Sequence, residues 1–161
     1  MHIHPITARD IPNLETFLYH AVFVPAGMTA PPFNIVCDPA LQVYTAGFGE
    51  RAHDMGAAAQ VNGRTVGMCW ARIMNDYGHA DDETPSLAIS VLPAFRGQGI
   101  GTALLSAVLA QLRQAGCRQV SLSVQKENPA LRLYRRFGFE TLRETQEEYI
   151  MVRALQEGEG V

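Results

Sequence analysis

Residues 91–105, VLPAFRGQGIGTALL, carry the strongest fold signal in this chain. They end an apolar segment that begins at Leu87 and is typical of a β-strand, and they then pass through three alternating glycines into an amphipathic helix. Glycines at such a junction leave backbone N–H groups exposed, and the first turn of a helix adds unpaired donors and the positive end of its dipole. The stretch therefore predicts a site for an anion, most readily a phosphate or pyrophosphate.

Other interpretations of the glycines fit less well. A dinucleotide-binding fingerprint requires glycine or alanine where this chain has Thr102, and an acidic residue at the end of the next strand, where it has Gln125 and Lys126. A nucleoside-triphosphate loop would need a Gly-Lys-Ser/Thr sequence, which does not follow. Dinucleotide binding is therefore a distant alternative. A second alternative is that the glycines only shape the tight turn between the strand and the helix.

Two blocks of sequence resemble the GCN5-related N-acetyltransferases, the GNAT family. Arg96-x-x-Gly99-x-Gly101 is similar to the family's acetyl-CoA signature. The second block is the strand SLSV at 121–124, followed by NPALRLY at 128–134 and FGF at 137–139. It resembles a pattern of the family in which a strand is followed by an asparagine, then by a tyrosine six residues later, and then by an aromatic-Gly-Phe sequence. The blocks stand in the family's order, and the resemblance covers residues 84–152.

The resemblance implies an α/β, single-domain GNAT-like fold: a mixed, mostly antiparallel central sheet flanked by helices, whose splayed central strands bind acetyl-CoA. A length of 161 residues suits one domain with a substantial core. We expect an N-acetyltransferase domain at 1–155 and a short C-terminal tail at 156–161. Hydrophobic patterning predicts helices at 102–115 and 129–137, helices that start after Asp10 and Asp38, and strands at 3–6, 55–61, 66–74, 87–92, 118–124, 139–145 and 148–153.

Composition narrows the class of protein. Hydrophobic residues make up 47% and charged residues 18%, as in folded globular domains. No apolar run approaches the length of a membrane span, and the first residues lack a signal-peptide pattern. A net charge of −3 disfavours nucleic acid as a partner. The three cysteines and five histidines show no metal-ligand spacing. We therefore expect a cytoplasmic protein with no metal, no nucleic-acid partner and no membrane partner.

The resemblance assigns the residues that bind acetyl-CoA, the expected cosubstrate. Backbone N–H groups of the glycine turn would hold the pyrophosphate, and main-chain groups of β-strand residues would hold the pantetheine arm. Asn128 would bond that arm from the other side, or cap the helix that follows, or do both. The expected cofactor-binding residues are Ile89, Val91, Arg96, Gly97, Gln98, Gly99, Ile100, Gly101, Thr102, Asn128 and Tyr134.

Tyr134 matches the family tyrosine that protonates or hydrogen-bonds the departing sulfur. A phenol with a pKa near 10 keeps its proton at physiological pH; the alternative is that Tyr134 is ordinary core. Family members often carry a glutamate at the start of the central strand, where this chain has Ser86. Glu83 is the first candidate for the general base, directly or through a water molecule. An acceptor that arrives as the neutral amine would need no base.

The acceptor site is expected between segments 23–36 and 75–83, with Phe33, Tyr77 and Ser86 as substrate-binding residues. Apolar walls beside four acids suit a cationic amine with some hydrophobic surface; these acids are Asp76, Asp81, Asp82 and Glu83. The predicted function is acetyl-CoA-dependent N-acetylation of a primary amine on an unidentified small molecule or protein. The alternative is an acyl-CoA-binding sensor without transferase activity. An exposed strand edge in the closing hairpin is compatible with a homodimer.

Overall fold

The computed structural model describes residues 1–156, which form a seven-stranded sheet in the order β1-β2-β3-β4-β5-β7-β6. The strands are β1 (His2–Pro5), β2 (Met55–Val61), β3 (Arg64–Arg72), β4 (Ser86–Val91), β5 (Gln119–Gln125), β6 (Glu140–Glu144) and β7 (Glu148–Ala154). Neighbouring strands are antiparallel except β4 and β5, which are parallel. The predicted fold class, mixed and mostly antiparallel, is confirmed.

Helices cover both faces of the sheet. They are α1 (Leu14–Ala21), α2 (Pro39–Gln42), α3 (Ile100–Gln114) and α4 (Leu131–Arg136), with 3₁₀ turns at Ile11–Asn13, Phe33–Cys37 and Pro93–Phe95. The apolar stripe of α3 and the buried residues of α4 pack on one face, together with Val120 and Leu122 of β5. The other face is covered by α1 and the segment around α2, which enclose Trp70 and Met68 of β3.

Local signals explain most of the element boundaries. Asn62 and Gly63 connect β2 to β3 with φ values of 52° and 78°, the two positive angles that a tight hairpin turn requires. Asp38 caps α2 by accepting a hydrogen bond from the Ala40 N–H at 2.9 Å. A helical turn follows Asp10 as expected, but the Asp10 carboxylate accepts bonds from Thr7 and makes no side-chain cap there.

Strands β4 and β5 separate soon after they meet. Their register contains one matched pair, Ser86 and Ser121, and the Ser121 N–H donates to the Pro85 carbonyl at 2.9 Å. Beyond this pair the strands diverge, which leaves a gap between them that opens toward the start of α3. The predicted splay of the central strands is therefore present.

The remaining expectations concern the ends of the sheet and of the domain. β6 is an edge strand with all five residues exposed, and the homodimer expected from this edge stays a prediction. Gln156 donates to the Cys117 carbonyl at 2.9 Å, while residues 157–161 of the expected tail lie outside the described residues. Among residues 1–156, none of the helices has the length and apolarity that a membrane crossing requires.

Candidate active site

The turn before α3 presents a row of unused backbone donors. Gly97 and Gly99 have φ values of 76° and 82°. The backbone N–H groups from residue 97 to Thr102 have no acceptor within residues 1–156, and the first bonded amide is that of Ala103, which donates to the Gly99 carbonyl at 3.1 Å. A Cβ on either of the two glycines would meet no atom within 4 Å. The turn thus offers free donors, the dipole of a 15-residue helix and open space, which is what an anion needs.

The backbone of β4 directs half of its polar groups into the gap. Consecutive residues of a strand point their N–H and C=O groups to alternate sides. Leu92 donates to β3, whereas the carbonyl of Pro85 accepts from Ser121 of β5. The odd-numbered residues of β4 therefore face β5. Past the matched pair these groups, including those of Ile89 and Val91, have no strand partner on that side in the part of the chain that the structure describes.

Arg96 and Asn128 are engaged with the backbone around the gap. The Arg96 Nε donates to the Val91 carbonyl at 2.9 Å, and a terminal guanidinium nitrogen lies 3.4 Å from the His20 carbonyl. Val91 is thus left with its N–H for a ligand. The Asn128 Oδ1 accepts a bond from the Ala130 N–H at 2.9 Å, which closes the turn before α4, whose N-cap is Ala130 and not the expected Asn128. The Asn128 amide nitrogen has no partner among residues 1–156.

Tyr134 lies on the α3 side of the gap. Its side chain is 7% exposed, and its ring packs edge-on against Phe139 with 5.9 Å between centroids. Burial raises the pKa of its phenol well above the ordinary value, and the neighbouring Cys69 thiol adds to the shift. Cys69 is paired with Ile89 in the register of β3 and β4, so Tyr134 lies level with the middle of β4. The phenol therefore keeps its proton and is placed beside the gap.

On the α1 side of the sheet, a group of polar side chains lies around the gap. We call this group the polar cluster: Tyr44, Asp76, Ser86, Ser121, Ser123 and Glu148. The Ser86 hydroxyl donates to Asp76 Oδ1 at 2.7 Å, and the Gly78 N–H donates to Asp76 Oδ2 at 3.1 Å. Burial raises the pKa of the Tyr44 phenol, and the charge of Asp76 and a hydrogen bond to it raise it further. A hydrogen bond with Ser123 acts in the other direction. Asp76 is thus held by two donors, one on each oxygen.

Two members of the polar cluster lack such partners. Ser121 is fully buried beside Ser86, and its hydroxyl has no hydrogen-bond partner within the described residues. Glu148, at the start of β7, is half-buried, and its carboxylate forms no hydrogen bond or ion pair with any residue from 1 to 156. Burial raises the pKa of this carboxyl group, and the charge of Glu147 raises it further.

A buried ion pair fixes the backbone on which Tyr44 stands. Arg72 and Asp54 are 1% and 0% exposed and lie 3.1 Å apart. The Arg72 guanidinium also donates to the carbonyls of Val43 and Ala46, at 3.2 and 2.7 Å, and the Trp70 indole donates to the Tyr44 carbonyl at 2.9 Å. Three hydrogen bonds from two β3 side chains thus hold residues 43–46, which places the phenol of Tyr44 near Asp76.

The geometry above agrees with a comparison of the whole sequence with known families. The profile described as "Acetyltransferase (GNAT) family" matches residues 27–139. The chain belongs to the GNAT family.

Two curated relatives and one solved structure illustrate the range of this GNAT protein's similarities. It is 32% identical over 107 residues to the aminoglycoside N(6′)-acetyltransferase type 1 of Stenotrophomonas maltophilia, covering 64% of this chain and 70% of that protein. It is 38% identical over 96 residues to the mycothiol acetyltransferase of Saccharomonospora viridis, covering 57% of this chain and 31% of that enzyme. The chain thus spans about a third of that relative's length.

The solved structure is the yncA protein of Salmonella typhimurium, which was solved with its cofactor acetyl-CoA. The TM-score is 0.68 at 20% identity, with 100% of this chain and 97% of that chain covered, so the likeness concerns the fold. The GNAT fold found here therefore occurs in a protein that has been observed with acetyl-CoA.

The GNAT chain does not bring all the expected acceptor-site residues together. Glu83 is exposed in the loop between β3 and β4, where its N–H donates to Asp81 at 2.9 Å, and its carboxylate contacts no member of the polar cluster. Phe33 is 51% exposed and packs against the Tyr19 ring at 5.4 Å. Tyr77 is 52% exposed and follows Asp76 directly. Ser86, in contrast, is buried within the cluster.

Sequence reasoning missed four members of the polar cluster. Ser121 and Ser123 alternate with apolar residues in β5, and this spacing would have placed both hydroxyls on one face of the strand. Tyr44 and Glu148 carried no local signal, because distant contacts bring them to the gap.

Proposed function

We propose that this GNAT protein transfers the acetyl group of acetyl-CoA to a primary amine on a small molecule or a protein. The observation that carries the proposal is the row of free amides at 97–102, which opens onto the gap between β4 and β5. A proton-bearing phenol, that of Tyr134, lies beside the same gap. The relatives named for aminoglycoside and mycothiol acetylation support an amine acceptor. A cytoplasmic location remains the expectation.

The residues present fit acetyl-CoA. The free amides of Gly97, Gln98, Gly99, Ile100, Gly101 and Thr102 would hold the pyrophosphate. The N–H groups of Ile89 and Val91, together with the Ile89 carbonyl, would hold the pantetheine arm as an added strand partner. Asn128 would contribute its unpaired amide nitrogen from the other side. Arg96 supports this site by binding the Val91 carbonyl, in addition to the contact with phosphate expected from the sequence.

The chemistry requires three contributions from the chain. When bound, acetyl-CoA supplies the thioester that is attacked. A backbone N–H at Ile89 would polarise the thioester carbonyl, and Tyr134 would donate its proton to the departing sulfur. Phe33 and Tyr77 would contact the apolar part of the acceptor. Glu83, in the same loop as Tyr77, is the general base that the sequence predicts. A neutral amine would need no base.

The test combines binding and turnover. Calorimetric titration with acetyl-CoA should give saturable binding, and a thiol-release assay should show release that depends on an acceptor from a panel of amino acids, polyamines, aminoglycosides and peptides. Binding without release for every acceptor would favour the acyl-CoA sensor. Absence of binding would overturn the proposal.

A further inference from the structure

The polar cluster lies at the level of the gap where the reaction would occur. β4 and β5 run parallel from the matched pair Ser86 and Ser121, so Ser123 stands level with residue 88, next to Ile89. Tyr134 approaches that level from the α3 side. Tyr44 contacts Ser123 from the opposite side, and the charge of Glu148 acts on Tyr44. Any acceptor that reaches the thioester from the α1 side therefore meets the polar cluster.

Of the two carboxylates in the cluster, one is free. Asp76 already accepts one bond on each oxygen, from the Ser86 hydroxyl and from the Gly78 N–H. Glu148 has no partner within residues 1–156. A half-buried carboxylate that lacks hydrogen-bond donors is a stronger proton acceptor than one that is fully bonded. Glu148 is thus the member of the cluster that is available to an incoming ammonium group.

A second unpartnered group lies on the same face, at the closed end of the gap and four residues along β5 from Gln125, the partner of Glu148. The Ser121 hydroxyl is fully buried and unpartnered within the described residues, and it lies beside Ser86 on the face that carries the polar cluster. Leaving a buried hydroxyl without a hydrogen bond costs about 1–3 kcal/mol. A polar group of a bound molecule in the gap would remove this cost.

We propose that Glu148 is the catalytic residue that takes the proton of the acceptor, and that the acceptor arrives as a cationic ammonium group. The proton passes from the ammonium nitrogen to a Glu148 carboxylate oxygen. The freed electron pair forms the C–N bond to the thioester carbon, the C–S bond breaks, and its electron pair stays on the sulfur, which takes the proton of Tyr134. After the C–N bond has formed, the nitrogen loses its second proton, which restores the Tyr134 phenol. Glu148 then releases the first proton to solvent, so that one proton is released per turnover. This assignment rests on the proposed function.

The charged groups around Glu148 explain why it would hold a cation. The charge of Glu148 acts on Tyr44, in the segment after α2, and the charge of Glu147 acts on Glu148. Lys126, which follows β5, is bound to Glu144 of β6 at 2.6 Å. Arg143 of β6, which pairs with Ile150, donates to the His79 carbonyl. With these two cations engaged elsewhere, the free carboxylate of Glu148 favours an ammonium ion over an anionic acceptor.

The test compares Glu148→Gln with Glu140→Gln, a matched control that removes one negative charge from an exposed residue of the edge strand β6. For an amine acceptor found in the panel, kcat/KM of Glu148→Gln should fall by about 100-fold or more at neutral pH, as expected for loss of a general base. The decrease in kcat/KM caused by Glu148→Gln should become smaller at high pH, where the acceptor amine is already neutral. Acetyl-CoA affinity should stay within about twofold of wild type, the range we expect for a residue outside the cofactor site. Glu140→Gln should keep wild-type turnover.

The pH profile separates this role from a structural one. Wild-type kcat/KM should fall on the acid side as Glu148 takes up a proton, at a pH above the usual range for glutamate because its pKa is raised. This acid limb should be absent in Glu148→Gln. Wild-type-like turnover and an unchanged acid limb in Glu148→Gln would overturn the assignment while the transferase function stands. A wild-type protein that binds no acetyl-CoA would overturn both.

Discussion

Gly99→Ala and Gly116→Ala place the same methyl group at the two ends of α3. Gly99 and Gly116 have φ values of 82° and 85°, and at neither position would the added Cβ meet an atom within 4 Å. An L-residue in this left-handed region costs roughly 1–2 kcal/mol. Both variants should therefore lose the same stability. For a chain of this size, Tm should fall by about 2–8 °C in each.

The two variants should differ only in their affinity for acetyl-CoA. At position 99 the methyl group would stand in the open space in front of the free amides, from which a phosphate group would approach. Losing one hydrogen bond to a charged group costs about 1.5–3 kcal/mol. At about 1.4 kcal/mol per factor of ten, this corresponds to roughly a 10- to 140-fold weaker Kd. Gly116, at the far end of the helix, should leave the Kd unchanged.

The measurement is calorimetric titration of wild type and both variants with acetyl-CoA, alongside thermal unfolding of each protein. Equal Tm losses combined with equal Kd values would refute the phosphate site at this turn. Weaker acetyl-CoA binding in both variants would also contradict the phosphate site, because strain in α3 would then account for the higher Kd.

Three further substitutions test other parts of the structure. Tyr134→Phe should lower kcat by about 100-fold or more with an unchanged acetyl-CoA Kd, as expected for a lost general acid, and an unchanged kcat in thiol release would exclude that role. Gly78→Ala would bring a Cβ to 2.9 Å from two backbone atoms of β5, so thermal unfolding should show a loss of about 1–3 kcal/mol. A wild-type Tm would contradict that packing. Arg72→Met should cost about 3–5 kcal/mol in urea unfolding because Asp54 is left buried and unpaired, and a loss below about 1 kcal/mol would contradict the pair's role.

The phosphate turn and the hairpin between β2 and β3 were predictable because their signals are local. Glycines at 97 and 99 take positive φ values that other residues avoid, and the helix follows at once in the sequence. The Asn62-Gly63 pair likewise encodes its own turn. In both places the residues that determine the conformation are the residues that adopt it, so the sequence pattern suffices.

The acceptor side of the gap was not predictable in the same way. The loop between β3 and β4 lays Gly78 directly on the backbone of β5, which turns Asp76 inward and leaves Glu83 in solvent. Tyr44 is oriented by donors from β3, and Glu148 reaches the cluster because β7 pairs with β5. These placements depend on contacts between distant segments, which spacing and periodicity do not encode.

The position of β7 also sets the order in which the protein can fold during synthesis. β7 is made after β6 yet lies between β5 and β6, so β6 has no strand partner until β7 has been translated. β5 meets β4 through one matched pair, so it too depends on β7 for most of its backbone bonds. Because translation runs from the N-terminus, the glycine turn and α3 leave the ribosome before Glu148 does. The carboxylate that we assign as the base is thus among the last parts of the site to arrive.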